Sequence, residues 1–169
     1  VISGLFVADN MNFTHAIQID ADGQHDLAAV TDFLDQAHHN PQALVCGYPI
    51  YDQTVPLSRL WGRKLTNFWV HVNTRSKALR DAMCGFRVYP LAQTLPVLPS
   101  VKTRRMDFDP DIVVRLIWAG VTVINRPVRV TYPKDGISHF RGFSDNMRIS
   151  RLHAGHFCTM LLRRMGLAK

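Results

Sequence analysis

Residues 17–26, I-Q-I-D-A-D-G-Q-H-D, set an apolar strand directly ahead of clustered acids. Ala16, Ile17 and Ile19 read as a buried strand, and Asp20, Asp22 and Gln24 follow where that strand should end. An open α/β sheet collects ligands beyond the carboxyl ends of its strands, which is where these side chains project. Hard divalent cations take oxygen ligands, and Mg2+ is commonly held by one or two carboxylates together with substrate phosphates. The pattern therefore predicts a metal–diphosphate site; a polar loop in which Asp26 caps the next helix is the plainer alternative.

The rest of the chain repeats the alternation. Leu27, Val30, Phe33, Leu34 and Ala37 recur at helical spacing, and Asn40-Pro41 ends that helix because the residue before proline is pushed out of the α region. Residues 43–50 form a second strand, apolar enough to be buried on both faces. Leu57, Leu60, Trp61, Leu65, Phe68, Trp69 and Val72 predict a long amphipathic helix, with its aromatic rings in the core. Residues 81–89, D-A-M-C-G-F-R-V-Y, read as a loop entering a short strand. A helix follows over 109–119, with Asp109 as its cap and Pro110 at its first position, and Gly120 stops it before the V-T-V-I strand. Residues 1–8 read as the later part of a helix, 134–143 as a loop and 144–165 as a basic final helix. Alternating helices and strands predict an α/β fold with a mostly parallel sheet flanked by helices, within 1–143, followed by a basic amphipathic helix over 144–169.

Composition narrows the function classes. Hydrophobic content of 47% with 20% charged residues is that of a globular domain. No run reaches the roughly 18 apolar residues of a membrane span. Cys46, Cys84 and Cys158 are odd in number and lack C-x-x-C spacing, which argues against a disulfide framework and a zinc site and points to a reducing cytosol. A net charge of +7 favours phosphorylated substrates, anionic lipid or nucleic acid, but no nucleic-acid module is recognisable.

Three segments, D-A-D-G-Q-H-D at 20–26, D-A-M-C-G-F-R at 81–87 and D-G-I-S-H-F-R at 135–141, carry a resemblance in their order and spacing. The chain resembles family 2 glycosyltransferases of the GT-A fold, in the branch of dolichyl-phosphate mannosyltransferase. It is also similar to bacterial glycosyltransferases found with lipid and polyene acyl chemistry. Such enzymes begin with a strand carrying a V-P-x-Y-N-like segment and a second βα unit, which hold the nucleotide base and ribose. Neither occurs here, so the resemblance implies a partial GT-A sheet whose N-terminal strands, on the order of 70 residues, precede Val1. We therefore expect a C-terminal fragment or a truncated gene product.

The resemblance implies a metal-dependent, inverting transfer from a nucleotide-diphosphate sugar to a lipid-linked or other acceptor. Asp20, Asp22 and Gln24 correspond to the metal triplet, which would hold Mg2+ or Mn2+ against the donor diphosphate. Ser138, His139 and Arg141 match a loop that such enzymes fold over phosphates, with His139 in place of a lysine. Arg59 and Arg63, four apart on one helix face, correspond to arginines that meet a lipid-phosphate acceptor. Asp81 is the first candidate base for a hydroxyl acceptor, ahead of Asp109 and Asp111; an already ionised phosphate would need none. His153 and His156 could share a metal, but no carboxylate or cysteine accompanies them in sequence. The basic final helix suits peripheral contact with the cytoplasmic face of the cell membrane. The competing expectation is a catalytically silent remnant that binds a membrane or partner through its basic surface.

Overall fold

The computed structural model describes residues 1–51, 55, 57–131 and 142–167. In chain order these form α1 (Ile2–Asn10), β1 (His15–Gln18), a 3-10 turn (Leu27–Ala29) leading into α2 (Val30–His39), β2 (Leu44–Tyr51), α3 (Leu57–Thr74), β3 (Arg87–Pro90), α4 (Leu91–Thr94), α5 (Phe108–Trp118), β4 (Val123–Val130) and α6 (Gly142–Arg164). The α/β class is as the alternation predicts. The sheet is mixed, in the order β1-β3-β2-β4. β3 runs antiparallel to both β1 and β2, whereas β2 and β4 are parallel over Leu44–Val123 to Tyr51–Val130. Three strands thus share one direction, and a single reversed strand lies between β1 and β2.

Helices cover both faces. Leu44, Cys46 and Tyr89 point into a core with Val70, Ile112 and Leu116. Their neighbours Val45 and Val88 point the other way, onto Phe33, Phe86 and Val128. This alternation across β2 and β3 is the period-two rule applied to a strand buried on both faces. Burial pushes the Cys46 and Cys84 thiols up to about 12, so neither is a thiolate near neutrality.

Several sequence expectations change. Ile17, read as part of a buried strand, is exposed on the edge strand β1. The α5 helix begins at Phe108 with Asp107 as N-cap, so Asp109 lies in its first turn and turns its carboxylate elsewhere. The aromatic face of α3 is not core: Trp61 and Phe68 are exposed, because the opposite face, through Thr66, Val70 and Asn73, is the one that packs inward.

The last helix packs on α3 and touches α5 through His156, which meets Asp111 and the Trp118 ring. Ile149 is buried there with His153, His156 and Asp145. Asn73 Nδ2 donates to the His153 carbonyl at 3.3 Å. His156 does have a carboxylate partner, contrary to the sequence reading: Asp111 Oδ1 lies 2.9 Å from its Nε2. Burial raises the Asp111 pKa, but hydrogen bonds from His156 and Arg115 outweigh it and hold the group below the usual carboxylate range. Its Oδ2 accepts from Thr103 at 2.9 Å. These contacts anchor α6 to α5.

Burial, with the neighbouring His156, lowers the His153 pKa from 6.5 to about 4. The folded state therefore refuses a proton that the unfolded chain accepts, and stability falls as pH drops from 6.5 towards 4. The expected loss is roughly 3 kcal/mol across that window, at about 1.4 kcal/mol per unit. Urea midpoints measured from pH 7 to 4 should follow this slope, and His153→Leu should flatten it.

Candidate functional site

The three co-directed strands all end at one edge of the sheet, and β3 begins there. Asp20 lies two residues beyond β1, and the D-A-M-C-G-F-R segment runs into β3 at the same place. The backbone N–H of Asp20 donates to the Gly85 carbonyl at 3.2 Å. A Cβ on Gly85 would fall directly on the Asp20 carboxylate. The two motifs are therefore interlocked, and Gly85 is required for close approach rather than for an unusual backbone angle.

The turn after β1 is shaped by its own acids. Asp22 Oδ1 accepts the Gln24 N–H at 3.1 Å, and Gly23 takes a φ of +70°. Asp26 accepts the Ala28 N–H at 3.0 Å, the cap read from sequence. The turn is then fastened to the end of β4: Asp26 N donates to Arg129 O at 3.1 Å, and Thr131 N to Gln24 O at 3.0 Å. His25 lies edge-on to Phe86, with its Nε2 3.9 Å from Asp20 Oδ2. This imidazole holds the Asp20 carboxyl below the usual range and outweighs partial burial; the charge of Arg87 adds to the effect. Asp20 is thus an ionised, part-exposed carboxylate.

Behind it stands a buried network. Arg87 is fully buried, and its Nη1 donates to Asp109 Oδ1 at 3.0 Å while Nη2 donates to Ala82 O at 2.7 Å. Gln18 Nε2 donates to the same Asp109 oxygen at 3.1 Å, and the Tyr89 hydroxyl donates to Gln18 Oε1 at 2.9 Å. Burial raises the Asp109 pKa despite Arg87, and the nearby charge of Asp20 raises it further. One-fifth of the Asp109 side chain still reaches solvent. Sequence reasoning passed over Arg87 and Gln18. The available signal was a lone arginine in the apolar run C-G-F-R-V-Y, a buried charge that needs a partner.

Asp81 is nearly inaccessible and fully engaged. Its Oδ1 accepts from Met83 N at 2.9 Å and from Arg63 Nη1 at 3.2 Å, and its Oδ2 accepts from Asn67 Nδ2 at 3.3 Å. Arg63 also donates to Met83 O at 3.3 Å, so α3 is clasped to the D-A-M-C turn. Arg59, one turn earlier, is exposed. Between β2 and α3 lies an open cavity of about 350 Å³, bordered by Tyr48, Tyr51, Arg63, Lys64, Arg80 and Asp81. A larger one, about 580 Å³, sits at the opposite end of the sheet by Thr14, Leu34 and Leu91, away from every motif. Ser138, His139 and Arg141 lie outside the described residues.

The arrangement brings Asp20, Asp22 and Gln24 together on one turn, with Asp109 behind Asp20 and Asp81 with Arg63 on the D-A-M-C turn. No family model matches the chain. Over 106 residues it is 24% identical to a dolichyl-phosphate beta-glucosyltransferase of Dictyostelium discoideum. The match covers 58% of this chain and 32% of that protein, so the chain spans about a third of its relative's length. That likeness supports a relationship to glycosyltransferases.

Proposed function

We propose that this chain is the part of an inverting, family 2-type glycosyltransferase that grips the diphosphate of a nucleotide-sugar donor through a divalent cation and presents the sugar to an acceptor. The observation that carries the reading is the seating of the Asp20 carboxylate on Gly85, which joins two of the three motifs into one corner. The likeness to a glycosyltransferase supports the same reading.

The residues fit a hard cation. Asp20 is held ionised, and Asp22 and Gln24 add oxygen donors on the same turn. Among the described residues no cluster of three histidines, cysteines or acids could hold a metal alone. Diphosphate oxygens would complete the shell, as is common for Mg2+ and Mn2+ in such sites. When bound, the cation supplies Lewis-acid stabilisation of the charge that develops on the leaving nucleoside diphosphate.

The chain's own residues do the positioning. Gly85 and His25 fix the Asp20 carboxylate, while Arg87 and Gln18 hold Asp109. Ser138, His139 and Arg141 supply phosphate contacts from the segment after β4, with arginine suited to bidentate binding. Arg63, with Arg59, faces the acceptor, read here as a lipid-linked phosphate. Asp81 orients Arg63. If the acceptor is a hydroxyl, Asp109 is the better base: it is part-exposed, and its raised pKa moves it towards neutrality. Transfer to a hydroxyl should then fall in acid through an apparent pKa above the ordinary 3.8 of an aspartate.

The test is donor turnover with Mn2+. Asp22→Asn should lower it about 10³-fold, the equivalent of several kcal/mol of lost transition-state stabilisation, and chelation should abolish it. Turnover indifferent to both would rule the reading out.

A further inference from the structure

Gln18 stands outside the three sequence motifs, yet it lies between two of their acids. It is the last residue of β1, and the ladder with β3 continues past it to Asp20, whose N–H donates to Gly85 O. The period of two along a strand puts the Gln18 and Asp20 side chains on one face. Across the sheet Gln18 pairs with Arg87 and Ala16 with Tyr89, so Arg87 and Tyr89 share that face.

The chemistry of its neighbours fixes which way the Gln18 amide faces. Nε2 is 3.1 Å from Asp109 Oδ1, and Oε1 is 2.9 Å from the Tyr89 hydroxyl. A carboxylate oxygen only accepts, so the amide N–H must face Asp109 and the amide carbonyl must face Tyr89. The Tyr89 oxygen already accepts from Arg87 Nη1 at 3.3 Å, which leaves its own proton for Gln18. Gln18 Nε2 and Arg87 Nη1 both end on Asp109 Oδ1, and Nη1 also reaches the Asp109 carbonyl at 3.1 Å. Asp109 Oδ2 takes none of these bonds, and one-fifth of the side chain reaches solvent. The second N–H of the amide is left for Asp20, whose negative charge His25 and Gln18 both help to hold. Asp20 and Asp109 are near enough for their charges to repel, and a neutral amide that donates to both keeps them together.

We infer that Gln18 is a positioning residue that joins the two carboxylates: it holds Asp109 with Oδ2 turned to solvent and passes on to Asp109 the loading of Asp20 by a cation and diphosphate. This role rests on the function proposed above and adds to it a link between donor binding and acceptor activation. A cation draws electron density from the Asp20 carboxylate, which then accepts the Gln18 N–H less well. The other N–H of the same nitrogen becomes the better donor, and its bond to Asp109 Oδ1 tightens. For a hydroxyl acceptor, the proton moves to Asp109 Oδ2 as the hydroxyl oxygen bonds to the anomeric carbon. The electron pair of the broken glycosidic bond leaves on the diphosphate oxygen. Gln18 touches none of the reacting atoms and acts through Asp109 alone.

The experiment is nuclear magnetic resonance of the isotope-labelled 169-residue chain, with Mg2+ and inorganic pyrophosphate as the probe. Adding both should shift the backbone amides of residues 20–26, the side-chain amide of Gln18 and the carboxyl carbon of Asp109. Gln18→Leu should keep the shifts at 20–26 and lose most of the shift at Asp109. Tyr89→Phe frees the amide to flip and should lose part of it, which keeps the test decisive if Gln18→Leu does not fold. A merely structural glutamine would leave the Asp109 response to the probe unaltered. Shifts at 20–26 with Gln18 and Asp109 unmoved would overturn the inference and leave the cation reading intact, as would an Asp109 shift that both variants retain. No shift at 20–26 would overturn the cation reading and the inference together.

Discussion

Gly85→Ala is expected to remove cation binding while leaving the fold intact. The added methyl would occupy the space of the Asp20 carboxylate, whose atoms are its three nearest neighbours. Gly85 is buried, but the part-exposed Asp20 terminus can swing away, so the cost in stability should be about 1 kcal/mol, the centre of the range for single substitutions. The carboxylate, however, would be displaced by more than an ångström from its seat beside His25. Misplacement of that size in a reacting site costs on the order of 10²-fold in rate. The variant should therefore unfold near the wild-type urea midpoint, yet bind Mn2+ and turn over donor at least a hundredfold more weakly. A variant with normal Mn2+ affinity would mean that Asp20 is not a ligand. One that fails to fold would mean that the Asp20–Gly85 contact is structural alone.

The second large effect is on stability. Asp109→Ala leaves the fully buried Arg87 guanidinium without its counter-charge. Breaking such a pair by removing one partner costs about 3–5 kcal/mol, because the orphaned charge stays in a low-dielectric interior. Arg87→Met should cost less, since the Asp109 side chain that remains reaches water over one-fifth of its surface. The double variant should be more stable than Asp109→Ala by itself. Urea denaturation of all three measures this directly. A loss below about 1 kcal/mol in Asp109→Ala would show that the Tyr89 hydroxyl and the Ala82 and Asp109 carbonyls satisfy Arg87 unaided.

The periodic parts of the fold were legible because burial writes them into the sequence. The run 43–47 is apolar because the first half of β2 is covered on both faces, whereas Ile50, read as buried, is exposed; the Asp26 cap and the Gly120 stop are local signals that tertiary structure leaves alone. The direction of β3 was not legible. Nothing within R-V-Y-P distinguishes a reversed strand, and pairing is decided by what lies on either side. The α3 stripe misled for a related reason: it has apolar residues on more than one face, and periodicity cannot say which face the sheet will cover. Pairings distant in sequence were equally hidden. Asp111 and His156 are 45 residues apart, and only the antiparallel packing of α6 brings them to 2.9 Å. At the site, Asp20, Asp22 and Gln24 could be read as one turn. Their dependence on Gly85, and the Gln18–Arg87–Asp109 network behind them, required the sheet order.

Everything proposed for the corner rests on cation-assisted capture of a diphosphate by Asp20 and Asp22. The most direct measurement is the electron paramagnetic resonance spectrum of Mn2+ titrated into the chain, with and without a nucleoside diphosphate. The account predicts that protein and diphosphate together remove more of the free-ion signal than the diphosphate does by itself, and that Asp20→Asn/Asp22→Asn abolishes this extra loss. A free-ion signal that the wild-type chain leaves unchanged, with the diphosphate present, would contradict it.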